Sequence, residues 1–202
     1  MEIRQFNPVT DNIETVADLI ISAYGGIEGN ISYDSNSRRI VIDLIESGNN
    51  FLGKENIYLC VTDNTLSGLA VGYTGKPWSK VRTLFRLLLN LKLFQIANYL
   101  IISSQLFDNA YTPNLTEDDF YISVITVDEK YRNRGIGTFM LKEMTAIAKE
   151  KNCRKIVLDV DKDNTAALSL YKKFGFIYAD IHEKNIQANT GDHGCTMIYR
   201  IN

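Results

Sequence analysis

The chain has few of the side chains that bind metals or cross-link small folds. Among its 202 residues are two histidines and three cysteines. Cys60, Cys153 and Cys195 are scattered and form no C-x-x-C pair. A zinc framework or disulfide scaffold is therefore excluded, and an odd set of isolated thiols points to a reducing, cytoplasmic setting. His193-Gly-Cys195 is half of a metal site, but no second ligand pair accompanies it, so a turn and no metal are expected there. The net charge of −2 offers no bulk attraction to nucleic acid. Met1 to Phe6 lacks the apolar stretch of a signal peptide and reads as a first strand. No internal repeat, low-complexity run or linker divides the sequence, and its length suits one well-buried domain over 1–202.

Long uncharged apolar runs are missing too. The most apolar stretch, about residues 79–108, is broken by Arg86 and Lys92 and carries Gln95 and Asn98 further on. A membrane span needs about 18 or more nearly uncharged residues, so none is expected. The stretch is apolar around most of a helix, which calls for protein on more than one side. A lid over an acceptor groove and a face for a second copy of the chain or another partner are the favoured readings. A surface anchor using Lys80, Arg82, Arg86 and Lys92 is the third.

What is present is an alternation of strands and helices. Residues 2–7 read as a strand, 11–24 and 37–47 as amphipathic helices, and 57–62 with 66–73 as a hairpin around Asp63-Asn64-Thr65. Past the insert come a strand at 120–127, a helix at 137–151, a strand at 155–160, a helix at 164–174, and strands near 176–183 and 195–201. This order predicts an α/β (α+β) fold with a mixed central sheet flanked by helices.

The most informative segment joins the strand at 120–127 to the following helix. A short polar turn leads into Arg132-Asn133-Arg134-Gly135-Ile136-Gly137 and then Thr138. The first turn of a helix has unpaired N–H donors and partial positive charge, so strand, glycine turn and helix together suit a pyrophosphate. Arg132 and Arg134 add fixed cations beside the donors. A dinucleotide fingerprint would need a third glycine where Met140 stands, and no G-x-x-x-x-G-K-[ST] run exists.

The remaining pattern, R-x-x-G-x-G after a strand, resembles the acyl-CoA-binding motif of the GNAT superfamily of N-acetyltransferases. A second segment is similar to the same family. Asn164-Thr-Ala-Ala167, Tyr171 and Gly175-Phe176 match N-x-x-A-x-x-x-Y-x-x-x-G-F, although Asn164 also reads as a helix N-cap and Gly175 as a C-cap. The predicted element order follows the family from end to end.

The resemblance implies acetyl-CoA as co-substrate, with direct transfer of the acetyl group to a primary amine of a small molecule or peptide. It places pantetheine along Ile125, Thr126 and Val127, and the Val127 backbone amide at the acyl carbonyl. It puts pyrophosphate on the backbone of Arg134 to Thr138, beside Arg132 and Asn133. Asn164 is a further cofactor-binding position, and Tyr171 falls near the sulfur as general acid. A phenol with an ordinary pKa of about 10 is protonated at neutral pH and can donate. Several family members carry a glutamate within the strand equivalent to 120–127. This chain has none there, so the general base stays open. Tyr121 and Ser123 take site-facing positions, and Glu117, Asp118 and Asp119 just before the strand are acceptor-binding candidates that read equally well as a solvated turn. A non-catalytic CoA-binding module on the same fold is the alternative function, and a membrane-surface adaptor centred on the insert is a third.

Overall fold

The computed structural model describes residues 1–25, 35–75, 115–179 and 194–201. The insert at 79–108, His182 and His193 lie outside the described residues, as do the readings that rest on them.

Seven strands form one sheet in the order β1-β2-β3-β4-β5-β7-β6. They are β1 (Glu2–Gln5), β2 (Ile57–Thr62), β3 (Thr65–Thr74), β4 (Asp119–Val127), β5 (Lys155–Asp161), β6 (Ile177–Tyr178) and β7 (Gly194–Arg200). The helices are α1 (Ile13–Gly25), α2 (Ser35–Ser47), α3 (Ile136–Glu150) and α4 (Thr165–Phe174). β4 and β5 run parallel, and the other pairs are antiparallel. The expected mixed α/β sheet with flanking helices is thus the observed fold, with most ends within two residues of their expected positions. β6 is shorter than expected, and 180–193 lie outside the described residues.

Each element follows from local chemistry. Asn12 caps α1 by accepting from the Thr15 N–H at 2.9 Å. Val16, Ala17, Ile20 and Ile21 line its buried side, and Ile40, Val41, Leu44 and Ile45 repeat that spacing in α2. Arg38 reaches from α2 to grip Asp18 of α1 with bonds of 2.7 and 2.6 Å. The β2–β3 hairpin turns at Asp63 and Asn64, both with positive φ (50° and 58°), the signature of a type I′ turn.

Strand alternation divides the core into two layers. α1 and α2 cover a face that includes Val71, Tyr73, Tyr121, Val124, Val157 and Ile198. α3 and α4 cover the other, against Phe120, Ile122, Ile156, Leu158 and Met197. Ile20, Ile45, Met140, Leu141 and Met144 are wholly inaccessible to solvent. Full burial of each such side chain contributes about 1.5–3 kcal/mol.

Candidate active site

The sheet opens between β4 and β5. The two strands pair only from Asp119↔Lys155 to Ile122↔Leu158. Beyond that point β5 pairs with β7 alone, while β4 continues beside β3. The separation begins at a bulge. Val71 opposes Val124 and Gly72 opposes Ile122, which leaves Ser123 as the extra residue of β4. A one-residue insertion reverses which face each later side chain takes. Accordingly Ile122 belongs to the α3–α4 layer, Val124 to the α1–α2 layer, and Ile125 and Val127 to the α3–α4 layer again.

Past the bulge, β4 has a backbone edge free of β5. The Asp128 N–H donates to Ser67 O at 3.0 Å. In an antiparallel pair the polar groups of successive residues alternate between the partner and the opposite side. Val124 and Thr126 therefore face β3, and the N–H groups of Ile125 and Val127 face the opening. Two contacts agree. The Val127 carbonyl accepts from Arg132 Nε at 3.3 Å, away from β3. A Cβ placed on Gly68 of β3 would come within 2.6 Å of Thr126 O.

The turn after β4 ends in a donor cluster. Asp128 accepts from the Lys130 N–H at 2.9 Å and starts a single 3₁₀ turn, Glu129–Tyr131. Asn133 (φ 61°) and Gly135 (φ 78°) both take left-handed backbone. Gly135 is the N-cap of α3 and has no side chain to cap with. The first intrahelical bond there runs from the Phe139 N–H to Gly135 O at 3.0 Å. The N–H groups of Ile136, Gly137 and Thr138 consequently have no acceptor within the helix. A Cβ on Gly135 would meet nothing within 4 Å, so open space lies before these donors. Gly137 differs. Its Cβ would fall 2.9 Å from Leu170 Cδ2 of α4, so its small size also lets α3 and α4 pack closely. The Arg134 guanidinium lies 5.6 Å over the Tyr131 ring, and Arg132 pairs with Glu129 at 3.4 Å on the surface.

α4 brings Tyr171 beneath the sheet. Asn164 caps the helix by accepting from the Ala167 N–H at 3.0 Å, and Gly175 ends it with φ 114°. Tyr171 is the seventh residue of α4 and 6% exposed, with its ring 5.7 Å from that of Phe176. Burial pushes its phenol pKa up, which holds the proton on oxygen across the physiological range. Among the described residues its hydroxyl has no hydrogen-bond partner. A buried hydroxyl left unpaired costs about 1–3 kcal/mol.

On the opposite face stands a carboxylate that the sequence analysis passed over. Asp159 follows the last β5 residue paired to β4 and sits at the start of the opening. The Tyr121 hydroxyl donates to Oδ2 at 2.7 Å, and the Thr196 hydroxyl of β7 donates to Oδ1. Desolvation raises its pKa to about 6, against the opposing pull of the Thr196 and Tyr121 hydrogen bonds. Its signal in the sequence was an acidic residue inside the otherwise apolar run Ile156 to Val160.

The other acceptor candidates separate. Tyr121 and Ser123 lie at the opening, with the Ser123 hydroxyl 3.4 Å from Val71 O. Asp119 stands at the closed end of the β4–β5 pair, 2% exposed. There it pairs with Lys155 at 3.5 Å and accepts from the Thr116 N–H at 2.7 Å. Glu117 is exposed in the turn before it. Among the described residues no helix is long and apolar enough to cross a membrane.

A sheet split beside β4, with a donor cluster at the start of the next helix, is the layout that the resemblance of the sequence implies, and relatives of known family share it. The model of the Acetyltransferase (GNAT) family matches residues 93–176. A putative [ribosomal protein bS18]-alanine N-acetyltransferase of Bacillus subtilis (strain 168) is 31% identical over 127 residues, which cover 62% of this chain and 81% of that protein. N-alpha-acetyltransferase 30 of Xenopus laevis is 40% identical over 57 residues. Those residues are 28% of this chain but span only 21% of the Xenopus protein. An N-acetyltransferase from Staphylococcus aureus Mu50 has the same fold, with a TM-score of 0.69 at 22% identity, covering 98% of this chain and 100% of that one. The chain belongs to the GNAT family of acetyltransferases.

Proposed function

We propose that the protein moves the acetyl group of acetyl-CoA to a primary amine, and that a peptide or protein α-amine is the acceptor class the site favours. What supports this reading is a buried phenol in the α3–α4 layer and a carboxylate beside the α1–α2 layer, on opposite sides of a sheet that splits between β4 and β5. Tyr171 lies in the α3–α4 layer, and among the described residues its hydroxyl has no hydrogen-bond partner. Asp159 meets Tyr121 of the α1–α2 layer.

The residues present fit acetyl-CoA. The N–H groups of Arg134 to Thr138 form a nest for its pyrophosphate, with Arg132, Asn133 and Arg134 at the rim. The N–H groups of Ile125 and Val127 are spaced to bond an extended pantetheine chain, and that of Val127 polarises the acyl oxygen. Bound acetyl-CoA supplies an activated acyl group with a thiol leaving group. Tyr171 donates its proton to the departing sulfur. Asp159 accepts the proton that the amine releases, directly or through one water. Asn164 holds the start of α4 and thereby the position of Tyr171.

Two facts favour an α-amine. An α-ammonium has an ordinary pKa of about 7.7–8.0 and a lysine about 10.4, so an acceptor poised near 6 is better matched to the former. The relatives from Bacillus subtilis and Xenopus laevis also carry names of alanine and N-alpha acetyltransferases.

The test is thiol release from acetyl-CoA with peptide acceptors, in the parent chain and in Tyr171→Phe and Asp159→Asn. Both variants should keep CoA binding and lose turnover by roughly 10²-fold or more. CoA binding without turnover in the parent, across a broad acceptor panel, would favour a non-catalytic CoA-binding module instead.

A further inference from the structure

We propose that Tyr121 and Thr196 are positioning residues for acetyl transfer: each donates to one oxygen of Asp159 from a neighbouring strand and fixes the carboxylate at the mouth of the β4–β5 opening. The inference rests on the reading of Asp159 as the group that takes the amine proton.

The geometry is specific. Asp159 belongs to β5, Tyr121 to β4 and Thr196 to β7, so three adjacent strands converge on one carboxylate. The two donors meet different oxygens, Oδ2 and Oδ1, which stops the group from rotating. Thr196 lies directly opposite Asp159 in the β5–β7 register. Tyr121 is anchored in turn, with its ring 5.5 Å from that of Tyr73 on β3 and 4% exposed. An aspartate has one methylene fewer than a glutamate, so its reach is short and its placement depends on its neighbours.

Both hydroxyl donors favour the charged form and offset part of the desolvation that opposes it. Without them the carboxyl would titrate higher and be a poorer proton acceptor near neutral pH. Among the described residues, Tyr121 of β4 meets Asp159 directly, and the Cys195 thiol of β7, packed in the α3–α4 layer, is coupled to it only electrostatically. The Cys195 thiol is itself raised, by burial first and by Asp159 and Asp161 after it, against Lys162 and Lys172. Desolvation and the two hydroxyls are the causes acting on Asp159 itself.

The experiment compares Tyr121→Phe, Thr196→Val and Thr196→Ser with the parent in the full chain. Each is read by the pH dependence of kcat/KM and by ¹³C carboxyl titration of Asp159. Loss of one charge-assisted hydrogen bond should move the Asp159 midpoint up by about one pH unit. The acid limb of kcat/KM should move with it, so that activity lost at pH 7 returns at higher pH. Thr196→Ser keeps the hydroxyl and should behave as the parent. A merely structural role would lower activity equally at every pH. Carboxyl titrations unmoved in both Tyr121→Phe and Thr196→Val would overturn the inference. Titrations that move while the kinetic limb stays fixed would instead remove Asp159 from the acceptor role and count against the proposed mechanism. Thr196→Val is near-isosteric and guards against a folding defect in the tyrosine variant.

Discussion

Asp159 and Tyr171 lie twelve residues apart in sequence on opposite sides of one sheet, with Asp159 at the place where β4 and β5 part. β5 delivers the first from its exit and α4 delivers the second from beneath. An amine arriving on the α1–α2 side and a thioester lying on the α3–α4 side would meet in the opening between them.

Tyr171→Phe separates chemistry from packing. The ring stays against Phe176 and only a hydroxyl with no partner among the described residues is lost. Turnover should fall by roughly 10²-fold while stability is unchanged or slightly raised, because no hydrogen bond among the described residues is broken. Urea midpoints and single-turnover rates check the two halves. A lowered midpoint would show that the hydroxyl has a structural partner.

Asp159→Asn should alter the pH dependence of stability. A carboxyl whose pKa is raised on folding binds more protons in the native state, so its contribution is greatest below the unfolded value. That contribution is lost as pH climbs through the folded value of about 6. The parent should therefore lose up to about 3 kcal/mol from this group between pH 4 and 7, and the asparagine variant should not. Denaturant midpoints across that range measure it. Parallel curves for the two proteins would show that Asp159 is not desolvated.

Gly135→Asp and Gly135→Ala together test the phosphate nest. Both impose a side chain on left-handed backbone and should cost about 1 kcal/mol. Only the aspartate sets a negative charge in the open space before the α3 donors. The alanine variant should still gain thermal stability from CoA, and the aspartate variant should not. Equal stabilisation of both would move the phosphate site elsewhere.

Asp119→Asn addresses the acidic turn that sequence alone made an acceptor candidate. Its partner Lys155 would be left half-buried without its counter-charge, so stability should drop by roughly 2–4 kcal/mol. The Michaelis constant for the acceptor should hold. A raised constant with stability intact would return Asp119 to the binding site.

Much of this architecture was readable before the structure. The limits of β2 matched, and Arg132 to Gly137 marked the start of α3, because periodicity and glycine placement are local properties. The Asn164 cap and the Gly175 stop were legible for the same reason. The bulge at Ser123 was not, since it exists only in the register between β3 and β4. Nor was the packing role of Gly137, which depends on Leu170 thirty-three positions away. Asp159 was missed because its meaning lies in its neighbours, and those come from strands 38 and 37 residues distant.

The central claim is acetyl transfer to an α-amine at this opening, and one measurement tests it most directly. The protein is incubated with acetyl-CoA and two peptides of the same sequence, each containing one lysine, one with a free and one with a blocked N-terminus. Mass spectrometry then locates the acetyl group. The account predicts acetylation at the free α-amine, dependent on Asp159 and Tyr171, with the blocked peptide left unmodified. Acetyl groups on lysine in both peptides at equal rates, or none on either while CoA binds, would contradict it.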